Sequence, residues 1–323
     1  MKKIFVVIPN WNGADLIADC LKSLEAQTQT AHIVVVDNGS VDESTEIITK
    51  QFPNIHLISL PKNTGFSGGV NTGIRYAMKQ GADAIALFNN DAVANKTWLA
   101  QLVSTLGCNP KAGIATGKLL RLDKKHFDST GDFYTVWAMP FPRGRNQVDE
   151  GQYDRPEEVF GASGGASLYR TRLFEDIGLF DEFFFAYLED VDVSFRAQLA
   201  GWNVQYTPTA EAYHHVSATS SKLGKFSRYH YVKNFYMVYA KNMPLKLYVK
   251  YLPRFVVQAA RLFASAVLKG AGLTYLRGMG RAFINTPHII RERRHIQKNR
   301  VVTSAYIDRW LYKKRPPKIP TIS

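Results

Sequence analysis

Three carboxylates crowd into four residues at Glu189, Asp190 and Asp192, inside the segment FFFAYLEDVDVSFRAQLAGW. Acidic residues are stabilised at a helix N-terminus by the macrodipole. Asp192 with Arg196 is an ordinary i,i+4 ion pair. Those two effects account for one or two of the carboxylates. They account less well for the apolar run Phe183, Phe184, Phe185 and Tyr187 in front of them. A carboxylate beside apolar walls is pushed up in pKa toward the range of a general base. The cluster is therefore read as a catalytic candidate.

Four other segments carry residue types suited to a phosphorylated ligand. ALFNNDAV sets Asn89, Asn90 and Asp91 at the end of an apolar run. A divalent cation bridging two phosphates takes only one or two carboxylates from a protein, and Asp91 is the ionised candidate; a helix- or turn-capping Asp is the alternative. His214 and His215 follow in AEAYHHVSATS, where one imidazole would complete a metal site with Asp91, although most isolated histidines are not ligands. VVVDNGSVDEST ends a strand in Asp37, a carboxylate able to accept from a base or ribose; Ser40 or Asp42 there can equally cap the next helix. LPKNTGFSGGVNTG carries Gly65, Gly68, Gly69 and Gly73 among Asn63 and Asn71. Its glycines permit close backbone approach, and a helix N-terminus offers N–H groups to an anion. It is neither a Walker loop nor a GxGxxG fingerprint, and a flexible turn would share its composition.

The elements that must position these residues alternate. Strands are predicted at Ile4 to Ile8, Ile33 to Val36, Ile55 to Leu60 and Ala84 to Phe88. Helices are predicted at Leu16 to Leu24, about 42–50 and Ser67 to Lys79. This rhythm predicts an α/β fold with a mainly parallel, Rossmann-like central sheet covered on both faces. Ligands in such sheets lie beyond the carboxyl ends of the strands, so Pro9, Asp37 and Asp91 are expected around one crevice. Residues 121–158, rich in Gly, Pro, Asp and Arg, read as a long irregular insertion. Regular structure resumes at Gly164 to Tyr169, with a helical turn near Leu173 and a helix over about 189–200 ended by Gly201.

The 323 residues, 46% hydrophobic, suffice for one large domain or one with an appendage. Two cysteines, Cys20 and Cys108, exclude a disulfide framework. The opening MKKIFVVIPNWNG has too short an apolar run for an export signal and predicts a first strand. No stretch of roughly 18 uncharged apolar residues marks a transmembrane helix. The net charge of +14 is uneven: from Lys241 onward there are 18 Lys and Arg and 2 acidic residues, against 23 and 25 before it. Arg254, Gln258, Arg261, Ser265 and Lys269 fall on one helical face, with Leu252, Phe255, Ala259, Leu262, Phe263, Ala266 and Val267 over the rest. That is a basic amphipathic helix suited to an anionic membrane surface; packing of its apolar face on the body is the alternative.

The seven segments VVIPNWNG, VVVDNGSVD, NTGFSGGVNTG, NND, GASGGASLYR, EDVDVSFRAQLAGW and HHVSATS stand in the order found in the family 2 glycosyltransferases of GT-A fold. Together the chain most closely resembles their bacterial rhamnosyltransferase-like branch. The resemblance covers roughly residues 1–220. The basic amphipathic pattern predicts a helical, membrane-associating region over 226–323, and the resemblance implies a GT-A catalytic domain over 1–225. It implies that Pro9, Asn12 and Asp37 line a base and ribose pocket, that Asn63, Gly65 and Asn71 lie along the nucleotide, and that Asn90 and Asp91 meet a metal-bound diphosphate. Asp190 would be the base, His214 the further metal ligand with Mg²⁺ or Mn²⁺, and Gly164 and Gly165 the close-approach positions. The activity implied is inverting transfer of a sugar, L-rhamnose from dTDP-rhamnose as best match, to a glycan or polyprenyl-linked acceptor on the cytoplasmic face of a membrane. Many relatives carry a second aspartate where this chain has Asn89. A UDP-hexose or galactofuranose transferase of the same fold, a sugar-nucleotide-binding pseudoenzyme, and a non-enzymatic nucleic-acid-binding protein are the competing readings. Against the last, the basic residues form no recognition motif and the crevice is acidic.

Overall fold

A computed structural model of the chain describes residues 1–215 and 224–321. The end of the HHVSATS segment, beyond His215, lies outside the described residues. The first half alternates as its sequence pattern requires: β1 (Ile4–Asn10), α1 (Ala14–Glu25), β2 (His32–Asp37), α2 (Ser44–Gln51), β3 (His56–Ser59), α3 (Gly65–Lys79), β4 (Ala84–Phe88), β5 (Ala92–Ala94), α4 (Trp98–Cys108) and β6 (Ala112–Arg121). β4 is buried at every position, as a central strand covered on both faces must be.

β3, β2, β1 and β4 form a parallel block in that spatial order. β11 (Ala166–Arg170) runs antiparallel between β4 and β6. β12 (Asn203–His214) returns parallel to β6. One apolar core, with Ile8, Phe88 and Trp98, fills the face under α1 and α4. A second, with Val7, Ile74, Tyr169 and Val193, fills the face under α3 and the helices α5 (Thr171–Ile177) and α6 (Glu189–Leu199).

Residues 121–158 differ from the irregular loop their composition predicts. They fold into β7 (Phe127–Ser129), which pairs with β6, and β8 (Asp132–Tyr134) with β9 (Pro140–Pro142), which pair with each other. β10 (Glu157–Val159), at the segment's end, pairs with β12. Strands of three residues are too short to show a period of two.

The C-terminal part is helical: α7 (Gly224–Asn242), α8 (Leu245–Leu268), α9 (Gly272–Ile284), α10 (Thr286–Lys298) and α11 (Ser304–Trp310). It shares a third core with the body, in which Phe184 and Phe195 join Phe235, Tyr239 and Phe255. Phe255 of α8 stacks on Tyr239 at 4.2 Å and on Phe235 at 5.0 Å. The apolar face expected to meet a membrane is therefore divided: Phe255 and Ala266 are buried with Gln258, while Phe263 and Val267 are exposed.

The docking is fixed by charge. Asp192 has no solvent exposure. It accepts from Arg196 Nε at 2.8 Å, Lys241 Nζ at 3.0 Å and Asn242 Nδ2 at 2.7 Å. Lys241 also donates to Asp181 at 2.6 Å, and Asp181 pairs with His288 of α10 at 2.8 Å. Removing one partner from such a network strands a buried charge. Asp192→Asn is expected to lower unfolding stability by about 3 kcal/mol, read from urea denaturation.

Candidate active site

The carboxyl ends of β1, β2 and β4 meet at Asn10, the last residue of β1, which is fully buried. Its Nδ2 donates to Asp37 Oδ1 at 3.1 Å and Ser44 Oγ at 3.0 Å. Its Oδ1 accepts from Asn90 Nδ2 at 2.8 Å. One side chain thus ties three strand ends together. Beyond them opens a cavity of about 1010 Å³. Pro9, Asn63, Gly65, Asn90, Asp91, Asp190 and His214 line it, as do Gly164 and Gly165.

Three of the expected nucleotide contacts, Asp37, Asn12 and Asn71, do not line the cavity; Asn12 is exposed and the other two are buried. Asp37 is buried against Asn10 and accepts from the Ser40 N–H. Asn12 accepts from the Val41 N–H at 2.9 Å, so it pins the loop after β2. Asn71 is buried and grips Phe180 through both its amide N and O. The neighbour Asn38 lines the cavity and holds the glycine loop, donating to Gly65 O at 2.8 Å and accepting from the Thr64 N–H. Asn63 accepts from the Gly65 N–H at 2.7 Å. Gly65 has φ of +78°, and a Cβ there would lie 2.4 Å from the Phe185 carbonyl, so only glycine fits.

Asp91 and His214 face each other, Oδ1 to Nε2, at 3.0 Å. The other ring nitrogen of His214 bonds Asp128 Oδ2 at 2.9 Å. Asp128 is buried and is also held by Arg145 Nε at 2.9 Å. Burial disfavours the His214 cation, but the hydrogen bonds and charges of Asp128 and Asp91 outweigh it and raise the pKa to about 9. Burial likewise opposes ionisation of Asp128; His214 and Arg145 outweigh it and hold that carboxyl below its ordinary range. Among the described residues no group of three or more His, Cys, Asp or Glu is arranged to hold a metal ion. The donor chemistry still fits a cation that draws its remaining ligands from a diphosphate and water: one carboxylate oxygen, one imidazole nitrogen, and a second carboxylate fixing the ring.

Asp132, Glu189 and Asp190 also line the cavity and share one neighbourhood. Burial pushes Asp132 up to about 7, with the charge of Asp190 adding to it, and pushes Glu189 up to about 8 for the same two reasons. Asp190 is raised by burial but opposed by the N–H groups of Gly164, at 3.2 Å, and Val191, at 2.8 Å. Glu189 Oε2 has no hydrogen-bond partner. The backbone donors therefore favour placing the shared negative charge on Asp190. Asn10, Asn38, Asp128, Asp132 and Arg145 are the site residues that the sequence reading missed. Asp128, Asp132 and Arg145 lie in the stretch without periodicity, and nothing in their spacing marks them.

The opposite wall is apolar, with Met139, Phe141, Phe226, Tyr231, Pro317 and Ile319. A mixed, mainly parallel α/β sheet whose strand ends open on a cavity with both polar and apolar lining, and with the Asp190 carboxylate bonded by Gly164, has the character of a GT-A-type fold. The sequence profile of glycosyl transferase family 2 matches residues 5–178, and the chain belongs to that family. It is 28% identical over 223 residues to the N-acetylglucosaminyl-diphospho-decaprenol L-rhamnosyltransferase of Mycobacterium tuberculosis, covering 62% of this chain and 72% of that one. It is 27% identical over 263 residues to the dTDP-rhamnosyl transferase RfbF of Shigella flexneri, covering 76% and 83%. In fold it is similar to the mannosyltransferase PcManGT from Pyrobaculum calidifontis, solved with GDP-Man and Mn²⁺, at TM-score 0.55 and 16% identity over 95% of this chain and 85% of that one. S. aureus TarS matches at TM-score 0.54 and 18% identity over 79% of this chain, which spans 43% of the TarS chain.

The raised pKa of His214 makes a linkage prediction. Its bridging contribution is fully present below the unfolded value near 6.5 and is lost as pH rises through about 9. With chelator present, the stability advantage of the wild type over His214→Gln should shrink between those pH values by at most about 3 kcal/mol, read from urea denaturation across the pH series.

Proposed function

We propose that the chain is an inverting, divalent-cation-dependent glycosyltransferase that moves L-rhamnose from dTDP-rhamnose to a glycan or polyprenyl-linked acceptor. The observation that carries this reading is Asp190, the carboxylate that two backbone N–H groups favour as the charged one, in the same cavity as Asp91 and His214. The names of the two rhamnosyltransferase relatives supply the sugar and the lipid-linked acceptor.

The acceptor hydroxyl oxygen attacks the anomeric carbon from the side opposite the diphosphate. The bond from that carbon to the phosphate oxygen breaks, and its electron pair leaves with the nucleoside diphosphate. Asp190 takes the hydroxyl proton, a contribution on the order of 10²–10⁴-fold for a positioned base. As a base it works ionised, so the rate falls as pH drops through its raised pKa. Asp91 and His214 would hold the cation, whose chemistry is to neutralise charge growing on the leaving diphosphate. Asn63, Gly65 and Asn90 line the nucleotide side, and the apolar wall suits the lipid-bearing end of an acceptor.

The chain would work as a peripheral protein on the cytoplasmic face of the cell membrane. Among the described residues no helix is long and apolar enough to cross one. Leu245, Val249, Val256, Phe263 and Val267 recur along α8 at helical spacing and are exposed. Lys246, Lys250, Arg254 and Arg261 run beside that stripe, and α9 adds exposed Leu273, Phe283 and Ile284. Apolar side chains flanked by cations match an anionic lipid interface.

Two experiments test this. Asp190→Asn should keep the thermal shift given by dTDP-rhamnose with Mn²⁺ and lose transfer by roughly 10²-fold or more; near-normal turnover removes Asp190 from the base role. Val249→Glu with Val256→Glu should abolish flotation with phosphatidylglycerol vesicles at unchanged melting temperature; flotation equal to wild type removes α8 from the interface.

A further inference from the structure

Three of the residues just before Asp190 adopt backbone that L residues resist. Phe185, Tyr187 and Leu188 have φ of +66°, +71° and +66°. Such conformations persist only where the surroundings over-determine them. This segment faces the cavity, since Phe185, Ala186, Tyr187 and Leu188 all line it. Its last carbonyl, on Leu188, accepts from the Asp192 N–H and so begins α6.

Two adjacent residues of α7 hold it. Asn234 is fully buried, and its Nδ2 donates to the carbonyls of Phe184, Ala186 and Tyr187 at 3.0, 2.8 and 2.6 Å. Lys233, also buried, donates through Nζ to the carbonyls of Phe183 and Phe184 at 2.5 and 3.1 Å. On the other side the Phe185 carbonyl accepts from the Ser67 N–H at 3.1 Å, in the first turn of α3. The segment is thus held between the glycine loop and the C-terminal helices, with Asp190 at its downstream end. Neither Lys233 nor Asn234 lines the cavity.

We infer that Asn234, with Lys233 beside it, is a positioning residue for Asp190: its amide fixes the left-handed segment 185–188 and through it the first turn of α6. This rests on reading Asp190 as the base. It makes α7, outside the matched family profile at residues 5–178, part of what aims the reactive carboxylate.

Asn234→Asp keeps the side-chain shape and removes both N–H donors. In the full chain without substrate, amides in 184–191 should exchange hydrogen at least roughly tenfold faster while those of β1 and β4 keep their rates. With dTDP-rhamnose and Mn²⁺, kcat for dTDP release should fall by roughly 30-fold, with donor KM changed by less than about threefold. Asn234→Gln, which keeps the amide on a longer stem, should recover part of the kcat. Lys233→Met should act in the same direction and carries the test alone if Asn234→Asp does not fold. Unchanged exchange in 184–191, uniform acceleration across the chain, or a raised donor KM at intact kcat would each overturn the inference. Failure of the wild type to turn over dTDP-rhamnose would instead count against the donor assignment, and the exchange result would then decide positioning by itself.

Discussion

A single buried carboxylate fixes how α6 sits. Asp192 is two residues after Asp190, which puts it on the opposite side of α6. It is wholly desolvated and survives as a charge because Arg196, Lys241 and Asn242 surround it. Arg196 in turn spends its remaining N–H groups on the carbonyls of Ile177, Gly178 and Leu179. Rotating α6 to bring Asp192 toward the cavity would strand several charges in apolar surroundings, a loss no local contact could offset. With Asp192 held away from the cavity, Asp190 faces it. The C-terminal helices are bound into the same arrangement through Lys241 and His288, so the first turn of α6 and the helical layer share one electrostatic core.

Much of the first half was legible because its physics is local and periodic. β4 was read as Ala84 to Phe88 and spans those residues, since a strand buried on both faces is continuously apolar. Helices α1 and α3 each begin two residues before their expected starts, where Gly13 and Thr64 provide the boundary without a side-chain cap. The cluster Glu189, Asp190 and Asp192 divides between a cavity-facing pair and the inward-facing partner of Arg196, so both accounts of it apply to different residues. What sequence spacing could not reveal is convergence from distant segments. Asp128 reaches His214 from 86 residues away, and Asn10 gathers Asp37 and Asn90 from opposite neighbouring strands. Asn12, which the resemblance assigned to the pocket, bonds the loop after β2, and Asn10 turns to the interior.

The C-terminal region shows how charge counting and packing diverge. The one-sided basic composition predicted a helical, amphipathic region, and the described residues there form five helices, of which α8 carries that pattern. They are held to the body by stacked aromatics as much as by ions: Phe255 against Phe235 and Tyr239 leaves no room for a face that both packs and inserts. The apolar residues of α8 are consequently split into an inward set and an outward stripe. A helical wheel sees one broad hydrophobic arc there; only the position of α7 separates it.

If that outward stripe meets a membrane, as proposed, it has a consequence for how the cavity can be built. A chain held flat against a leaflet searches in two dimensions, and an acceptor anchored in the same leaflet reaches it by lateral diffusion at a high local concentration. Affinity that a freely diffusing enzyme must obtain from an enclosing acceptor pocket is then supplied by shared residence. Under the membrane reading proposed above, the largely apolar wall of Phe141, Phe226 and Pro317 would have only to orient a partner that the surface had already delivered.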